Sequence, residues 1–286
     1  MKIEDGINLY LEDVKIRLSE ATFKYYSCHL KNLNDFCILK KYENLENLCN
    51  EKFYREYVIY QKNSNVKNIT INKRIKSLYM VLKYNSMNYN FVKLKEQYKT
   101  FDIIPEKNLK DIMNHIYNLE ENNFNLNMKL VVMILLETGV RANELINIEK
   151  LNIDLNENSI LLTTTKTSCD RYVFFKGYTK SLIVKNLELR SKSKFLFYNW
   201  NKDKKFNRNC IDYIIVCIKK ACNINQLSAH MFRHTFATIL IDKGCPLFAV
   251  QKLLGHKSIK TTERYVHQSK SKIKEEFIKY FPEYKD

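Results

Sequence analysis

Apolar positions in the first ninety residues recur at helical spacing, with few breaks between one run and the next. Ile7, Tyr10 and Val14 share one side of a first helix, which is predicted at 6–18. Ser19 is a suitable N-cap for the next helix, and two more are predicted at 45–61 and 68–87. This pattern predicts a helical N-terminal domain.

The second half of the chain combines helices with one short β-hairpin. Residues 128–137 are apolar nearly all round, which predicts a buried helix that ends at Gly139, a natural left-handed C-cap. β-rich runs at 158–166 and 171–175 predict the hairpin. Further helices are predicted at 179–189, 208–222, 229–243, 246–254 and about 270–281, the last with Ile273, Phe277 and Phe281 on its apolar side.

The expected fold class is mainly α with a small β-hairpin or sheet, in two domains. We place the helical domain at 1–93, a polar and aperiodic linker at 94–104, and the second domain at 105–286, beginning at Pro105. Two lobes on a hinge suit a protein that closes around its partner.

The excess of positive charge indicates the kind of partner that the protein binds. The 286 residues carry 48 Lys and Arg against 31 Asp and Glu, a net charge of +17. This excess of cations predicts a polyanionic partner, and nucleic acid is the first candidate. AT-rich coding also produces such a lysine excess, so the placement of the cations matters more. Lys73 and Lys76 share a helix face that is either solvated or in contact with phosphates. The candidate DNA-contacting residues are Lys24, Lys73, Arg74, Lys76 and Arg208.

Other compositional features exclude classes of protein. No run reaches the about 18 apolar residues of a membrane span, and the N-terminus lacks the features of a signal peptide. We therefore expect no membrane association and a cytoplasmic, nucleoid-associated location. The eight cysteines include no CxxC and no zinc-finger spacing, so they are predicted to be reduced, buried thiols.

Four stretches carry side chains suited to binding a phosphate. Arg141 follows the Gly139 turn, with Glu144 close enough to orient it, although a purely structural salt bridge is an alternative. His230 and Arg233 project from one face of a helix N-terminus, where an anion is favoured. The other two stretches contribute His256, just after Gly255, and Lys166, at the end of the first hairpin strand.

No cofactor is expected for this set. His230 and His234 lie at i and i+4, but Met231 stands where the HExxH zinc motif has Glu, so no metal site is predicted. Gly-rich phosphate loops and an acidic pair for magnesium are also missing from the sequence. Two arginines can clamp the non-bridging oxygens of a phosphodiester, and the set therefore suits metal-free phosphoryl transfer to a tyrosine, Tyr265.

Three motifs identify a family. TGVRANEL (138–145), HMFRHTFAT (230–238) and LLGHKSIKTTERYVH (253–267) resemble, in order and spacing, the signatures of the tyrosine recombinase (phage integrase) family, especially its short Xer-like and transposon-resolvase members. The N-terminal helices resemble the family's core-binding domain. Two departures are Phe232, where Leu is usual, and TKTSCDR (165–171), where the family has GKGxKxR. Lys166 matches the first lysine of that hairpin, and Cys169 replaces the second.

The resemblance implies a role for each matching residue. Arg141 and Arg233 bind the scissile phosphate, and His256 donates a further hydrogen bond to it. His230 assists deprotonation of Tyr265, which attacks and forms a 3′-phosphotyrosine link. The remaining two roles are protonation of the departing 5′-oxygen by Lys166 and bracing of the site by Glu144.

The resemblance also implies an assembly. Two domains form a C-shaped clamp on double-stranded DNA that carries a specific recombination site, and four protomers exchange strands through a Holliday junction. The helix at about 270–281 docks into a neighbouring protomer, or alternatively packs on its own domain. The helical domain starts within ten residues of Met1, so no arm-binding domain is expected before it.

Two other functions stay open from the sequence, a type IB-like topoisomerase and a non-catalytic DNA-binding accessory protein. The biological role also stays open between integration, cointegrate resolution and dimer resolution, with a slight preference for a mobile element or plasmid.

Overall fold

Helices build the N-terminal part of the chain. The structure is a computed structural model that describes residues 1–96, 102–163, 170–189, 193–199, 204–256 and 258–263. Its first helices are α1 (Ile3–Arg17), α2 (Glu20–Lys40), α3 (Glu51–Asn63) and α4 (Asn68–Tyr84). Helices α1 and α4 pack on α2 and on each other, and the core between them contains Leu30, Phe36 and Phe53.

Side-chain caps fix where these helices begin. Ser19 Oγ accepts a hydrogen bond from the Thr22 N–H, which confirms the predicted cap of α2. The prediction of one helix over 45–61 is wrong, because Leu45–Leu48 forms a 3₁₀ turn and α3 starts afresh at Glu51. Asn50 causes the break, since its Oδ1 accepts from the Phe53 N–H at 2.9 Å and caps a new helix.

The residues after α4 are held by hydrogen bonds to the first four helices. Asn72 Oδ1 accepts from the Leu94 N–H at 2.9 Å, and Asn68 Nδ2 donates to the Lys95 carbonyl at 2.8 Å. Packing within the chain divides it into two compact units, Met1–Lys99 and Thr100–Asp286. The predicted boundaries of 1–93, 94–104 and 105–286 stay a prediction.

The second unit is organised around one buried helix. Its helices are α5 (Glu106–Asn118), α6 (Asn123–Thr138), α7 (Ala142–Leu145), α8 (Gly177–Leu189), α9 (Arg208–Ala221), α10 (Ala229–Asp242), α11 (Leu247–Leu254) and α12 (Lys260–Glu263). Helix α6 packs against both α8 and α10, and residues 126–135 are buried throughout. The helix predicted from the apolar run at 128–137 is confirmed, as is its left-handed end at Gly139, whose φ is 61°.

A small antiparallel sheet completes this unit. Its strands β1 (Ile153–Asp154), β2 (Ser159–Leu162) and β3 (Arg171–Phe174) follow one another in space as in sequence. A separate pair joins β4 (Tyr198–Asn199) to β5 (Lys204–Lys205). The predicted β2–β3 hairpin is present, although the strands are shorter than expected and residues 164–169 lie outside the described ranges. The predicted fold class, mainly α with a small sheet, is confirmed.

The cysteines differ from the prediction. The seven that are described are free, and Cys37 is buried, but Cys28 is exposed. Cys28 lies two positions before the buried Leu30, about 200° around α2 and so on its outer face. Within the described ranges, no helix combines the length and apolar character that crossing a bilayer requires.

Candidate active site

Arg141 is fixed at the junction between two helices. Gly139 ends α6 in the left-handed conformation, and Arg141 becomes the N-cap residue of α7. The Glu144 carboxylate accepts two hydrogen bonds from Arg141. Its Oε2 accepts from the Arg141 backbone N–H at 2.7 Å, and its Oε1 accepts from Arg141 Nη1 at 2.8 Å. The Arg141 side chain stays 37% exposed, so the guanidinium is oriented by Glu144 and still accessible.

Arg171, a residue with no predicted role, is central to this site. It lies on β3, is 6% exposed, and donates to both oxygens of Glu144 at 3.0 and 2.8 Å. Its Nε also donates to the Leu253 carbonyl at 2.8 Å, near the end of α11. The available signal was the strand alternation, which places Arg171 on the same inward face as Val173 and so requires a buried partner for a charged side chain.

Glu144 therefore forms ion pairs with two arginines, Arg141 and Arg171. Burial alone raises the pKa of its carboxyl, but the hydrogen bond and charge of Arg171, and then those of Arg141, lower the pKa to about 2. The carboxylate is consequently ionised at neutral pH. It couples α7 to β3 through an ion pair that is largely shielded from water.

Arg233 joins three chain segments. It sits in the first half of α10, which is capped by Ser228, and it is 3% exposed. Nη1 donates to the Gly139 carbonyl at 2.7 Å, and Nη2 donates to the Leu254 carbonyl at 2.7 Å. Nη2 also lies 2.9 Å from His256 Nε2. One guanidinium thus holds the end of α6, the end of α11 and the histidine that follows it.

His256 is placed by the turn that closes α11. Gly255 ends this helix with a φ of 64°, and the Gln251 side chain donates to the His256 carbonyl at 3.0 Å. His256 Nδ1 lies 2.9 Å from Thr262 Oγ1 on α12. Partial burial, followed by the charges of Arg233 and other nearby arginines, lowers the pKa of His256 to about 4.

His230 lies at the start of α10, one turn before Arg233. It is exposed, yet partial desolvation and then the charges of Arg208, Arg233 and Arg141 lower its pKa below the usual range. The influence of these three arginines places His230 in the same electropositive environment. Among the described residues no group of three or more His, Cys, Asp or Glu side chains is arranged to hold a metal ion.

Two of the predicted catalytic residues, Lys166 and Tyr265, lie outside the described ranges. The structure does bring together Arg141, Arg233 and His256 through a shared network of hydrogen bonds and charges, and Glu144 contacts Arg141. The catalytic roles of these residues stay predictions. Several fixed donors and positive charges around a partly accessible arginine form an environment that favours a tetrahedral oxyanion such as a phosphodiester.

The candidate DNA-contacting residues have different surroundings. Lys73 and Lys76 are exposed on α4, whereas the neighbouring Arg74 is half-buried and donates to the Gln61 side chain. Lys24 forms an exposed ion pair with Glu20, and Arg208 pairs with Asp212 in the second unit. Their roles in DNA binding stay predictions.

In this mainly helical domain, arginine and histidine side chains form a site that is suited to binding an anion. The model of the phage integrase family matches residues 102–272, the greater part of the chain, and the chain belongs to that family. The family predicted from the three sequence motifs is thereby confirmed, and so is the predicted enzyme class, a site-specific tyrosine recombinase.

Individual relatives extend the likeness to the N-terminal unit. A probable integrase/recombinase of Acholeplasma phage L2 is 27% identical over 283 residues, covering 98% of both chains. Tyrosine recombinase XerC of Staphylococcus aureus is 29% identical over 294 residues, covering 96% of this chain and 95% of the relative.

Solved structures share the fold at lower identity. Residues 82–397 of the Tn1549 transposon integrase, in complex with a circular intermediate DNA, superpose with a TM-score of 0.77 at 16% identity, covering 98% of this chain and 99% of that solved chain. XerH recombinase bound to its palindromic difH substrate gives a TM-score of 0.75 at 22% identity, covering 90% of this chain and 79% of XerH.

Proposed function

We propose that this recombinase cuts and rejoins double-stranded DNA at a specific site through a 3′-phosphotyrosine intermediate at Tyr265. The observation that carries the proposal is the contact between Arg233 and His256, 2.9 Å apart, in a site that also contains the oriented Arg141. These three side chains bind the scissile phosphate. Their charges stabilise the negative charge that develops during transesterification.

The reaction exchanges one phosphoester for another. The Tyr265 oxygen bonds to phosphorus, the bond to the 5′-oxygen breaks, and the proton of Tyr265 passes to His230. The lowered pKa of His230 supports this role, because a neutral imidazole is able to accept the proton near pH 7. Lys166 protonates the departing 5′-oxygen. Attack by that 5′-hydroxyl, or by one from another duplex, reverses the step and releases Tyr265.

Double-stranded DNA is the proposed partner of both units. The XerH and Tn1549 integrase structures are complexes with DNA substrates or intermediates, and their fold likeness supports the same class of partner here. The exposed Lys73 and Lys76 provide cations in the N-terminal unit, where phosphate contacts contribute to affinity without selecting sequence.

Strand exchange requires more than one protomer. Four protomers are proposed to hold two DNA sites and to pass through a Holliday junction, with the helix predicted at about 270–281 docked into a neighbour. That segment lies outside the described residues, so this part of the proposal rests on the apolar positions in its sequence and on family membership.

Covalent capture tests the nucleophile. A duplex drawn from the DNA that flanks the gene, first located by footprinting, is nicked beside the cleavage position so that the released fragment diffuses away. The wild-type protein should accumulate as a covalent DNA complex, whereas Tyr265→Phe should bind the duplex and form none. Covalent capture by Tyr265→Phe would assign the attack to another tyrosine, and Tyr280 and Tyr284 are the next to substitute.

A plasmid without the footprinted site provides the control for enzyme class. A recombinase should leave its supercoiling largely unchanged, whereas strong relaxation by a monomer would contradict the proposal in favour of a type IB-like topoisomerase.

A further inference from the structure

The two ring nitrogens of His256 have different partners, and these define its tautomer. Arg233 Nη2 lies 2.9 Å from Nε2, and a guanidinium has donors but no acceptor. Nε2 must therefore accept this hydrogen bond. In a neutral ring the remaining proton is on Nδ1, which donates to Thr262 Oγ1 at 2.9 Å.

The charges around His256 keep the ring neutral. Arg233 approaches from α10, Arg141 from the N-terminus of α7 and Arg171 from β3, and His234 adds a smaller influence. Together with partial burial they lower the pKa of His256 to about 4. A second proton on Nε2 would also point directly at the Arg233 donor.

This resting arrangement differs from the one that phosphate binding needs. The proposed function requires His256 to donate a hydrogen bond to a phosphate oxygen, but in this structure Nε2 accepts. Thr262 resolves the conflict, because a hydroxyl is both a donor and an acceptor and its proton rotates to suit its partner. Thr262 is fully buried and its Oγ1 faces Nδ1, so the ring keeps a partner in either tautomer.

We propose that Thr262 is a positioning residue that lets His256 exchange tautomers when the scissile phosphate binds. In the free site, Nδ1–H donates to Thr262 and Nε2 accepts from Arg233. When Arg233 turns its donor to the phosphate, Nε2–H donates to a phosphate oxygen and the Thr262 hydroxyl donates to Nδ1. This inference rests on the proposed function, since it assumes that the phosphate binds between Arg141, Arg233 and His256.

The exchange conserves protons and charge. One proton leaves Nδ1 for water while another reaches Nε2 from water, so the ring stays neutral and no net proton is taken up. Thr262 also lies three residues before Tyr265 in the sequence. The same hydroxyl that sets the tautomer of His256 is therefore carried by the segment that leads to the proposed nucleophile.

Nitrogen NMR of ¹⁵N-histidine-labelled full-length protein tests the tautomer directly, with His256→Gln used to assign the signals. At neutral pH the free protein should show protonated Nδ1 and unprotonated Nε2. With a Tyr265→Phe protein saturated by the footprinted duplex, as verified by gel shift, the proton should be found on Nε2. An imidazolium or Nε2–H in the free protein would overturn the proposal, and so would Nδ1–H in the complex.

Thr262→Val and Thr262→Ser form the matched pair of variants. Val keeps the shape without the hydroxyl, so the duplex-bound ring should show mixed tautomers and covalent-complex formation should slow by roughly tenfold. Ser restores the hydroxyl and should restore both the single tautomer and most of the rate. Thr262→Val with a wild-type spectrum and rate would contradict the proposal.

Two further measurements separate the possible failures. If Thr262→Val melts well below wild type, the wild-type and Thr262→Ser spectra still decide the tautomer assignment. If the wild-type protein binds the duplex but forms no covalent complex, the proposed function fails, while the free-state spectrum still reports whether Thr262 sets the resting tautomer.

Discussion

The two units of the chain bury their polar groups in different ways. In the first unit, the Tyr57 hydroxyl and the Gln61 amide both donate to Asn32 Oδ1, at 3.1 and 2.7 Å. Arg74 donates to the Gln61 side chain, so the one cation of this cluster is held by a neutral partner. In the second unit, the buried partners are charged, with Glu144 between two arginines.

This difference indicates what each unit is built to do. Neutral groups lose little on burial once they are hydrogen-bonded, and they fix how the helices of the first unit pack. Buried charges cost more to desolvate, and breaking such a pair is strongly destabilising. The proposed phosphate site of the second unit would require such charges, because it needs a rigid set of donors.

The largest effect is expected from Arg233→Lys. Lysine keeps the positive charge but loses the planar fork that reaches Gly139, Leu254 and His256 together. Covalent-complex formation on the nicked duplex should fall by about 10²–10³-fold. Tyr57→Phe, which removes the hydrogen bond from Tyr57 to Asn32 in the first unit, is the control and should leave this rate close to wild type. Comparable decreases in the two variants would remove the distinction between the units.

Glu144→Gln should have the next largest effect, on stability. The folded-state pKa of Glu144, about 2, lies below its ordinary value of 4.5, so the carboxylate stabilises the fold fully above about pH 4.5. This contribution, about 3 kcal/mol, is lost as the pH falls from 4.5 towards 2. Urea unfolding at pH 7 should show a decrease of that size in the variant.

The same urea unfolding experiment, repeated at lower pH, provides the comparison. Between pH 4.5 and 2 the wild type should lose more stability than Glu144→Gln, whose amide does not titrate. The free energy of unfolding of Tyr57→Phe should lie about 1 kcal/mol below that of the wild type at pH 4.5 and at pH 2 alike, since only a neutral hydrogen bond is removed. An identical loss of unfolding free energy between pH 4.5 and 2 in wild type and Glu144→Gln would show that the carboxylate is not stabilised by its arginines.

The smallest effect is expected from the exposed cations of the first unit. Substituting Lys73 and Lys76 together with Gln should leave the melting temperature close to wild type and weaken duplex binding. The slope of log affinity against log salt should become shallower by about two, because each lysine is expected to neutralise one phosphate. Lys24→Gln should change the slope less, because the Lys24 ammonium is paired with Glu20 at 2.7 Å. An unchanged slope in the double variant would place the phosphate-binding cations elsewhere.

Local signals explain what the sequence predicted well. A cap such as Ser228, a left-handed glycine such as Gly139 and an apolar stripe each involve residues within a few positions of one another, so helices α2, α6 and α10 could be predicted with their starts or ends. The pairing of Arg141 with Glu144 also follows from i, i+3 spacing.

Interactions between distant residues explain what was missed. Arg171 and Glu144 are 27 residues apart, and no local pattern pairs them. Strands β1, β4 and β5 have two residues each, too few to show an alternation. The single helix predicted at 45–61 is wrong for a different reason, since Asn50 caps a new helix within an apparently continuous helical pattern.

Gly255 has a consequence for directed evolution of this recombinase. A β-carbon there would lie 2.9 Å from Arg171 Nη1, and the φ of 64° disfavours any other residue. Substitutions at Gly255 should therefore score as inactive in a selection, although the residue has no side chain with which to contact DNA. Libraries aimed at new target sites should keep this codon fixed, so that diversity is not spent on a position governed by an internal arginine.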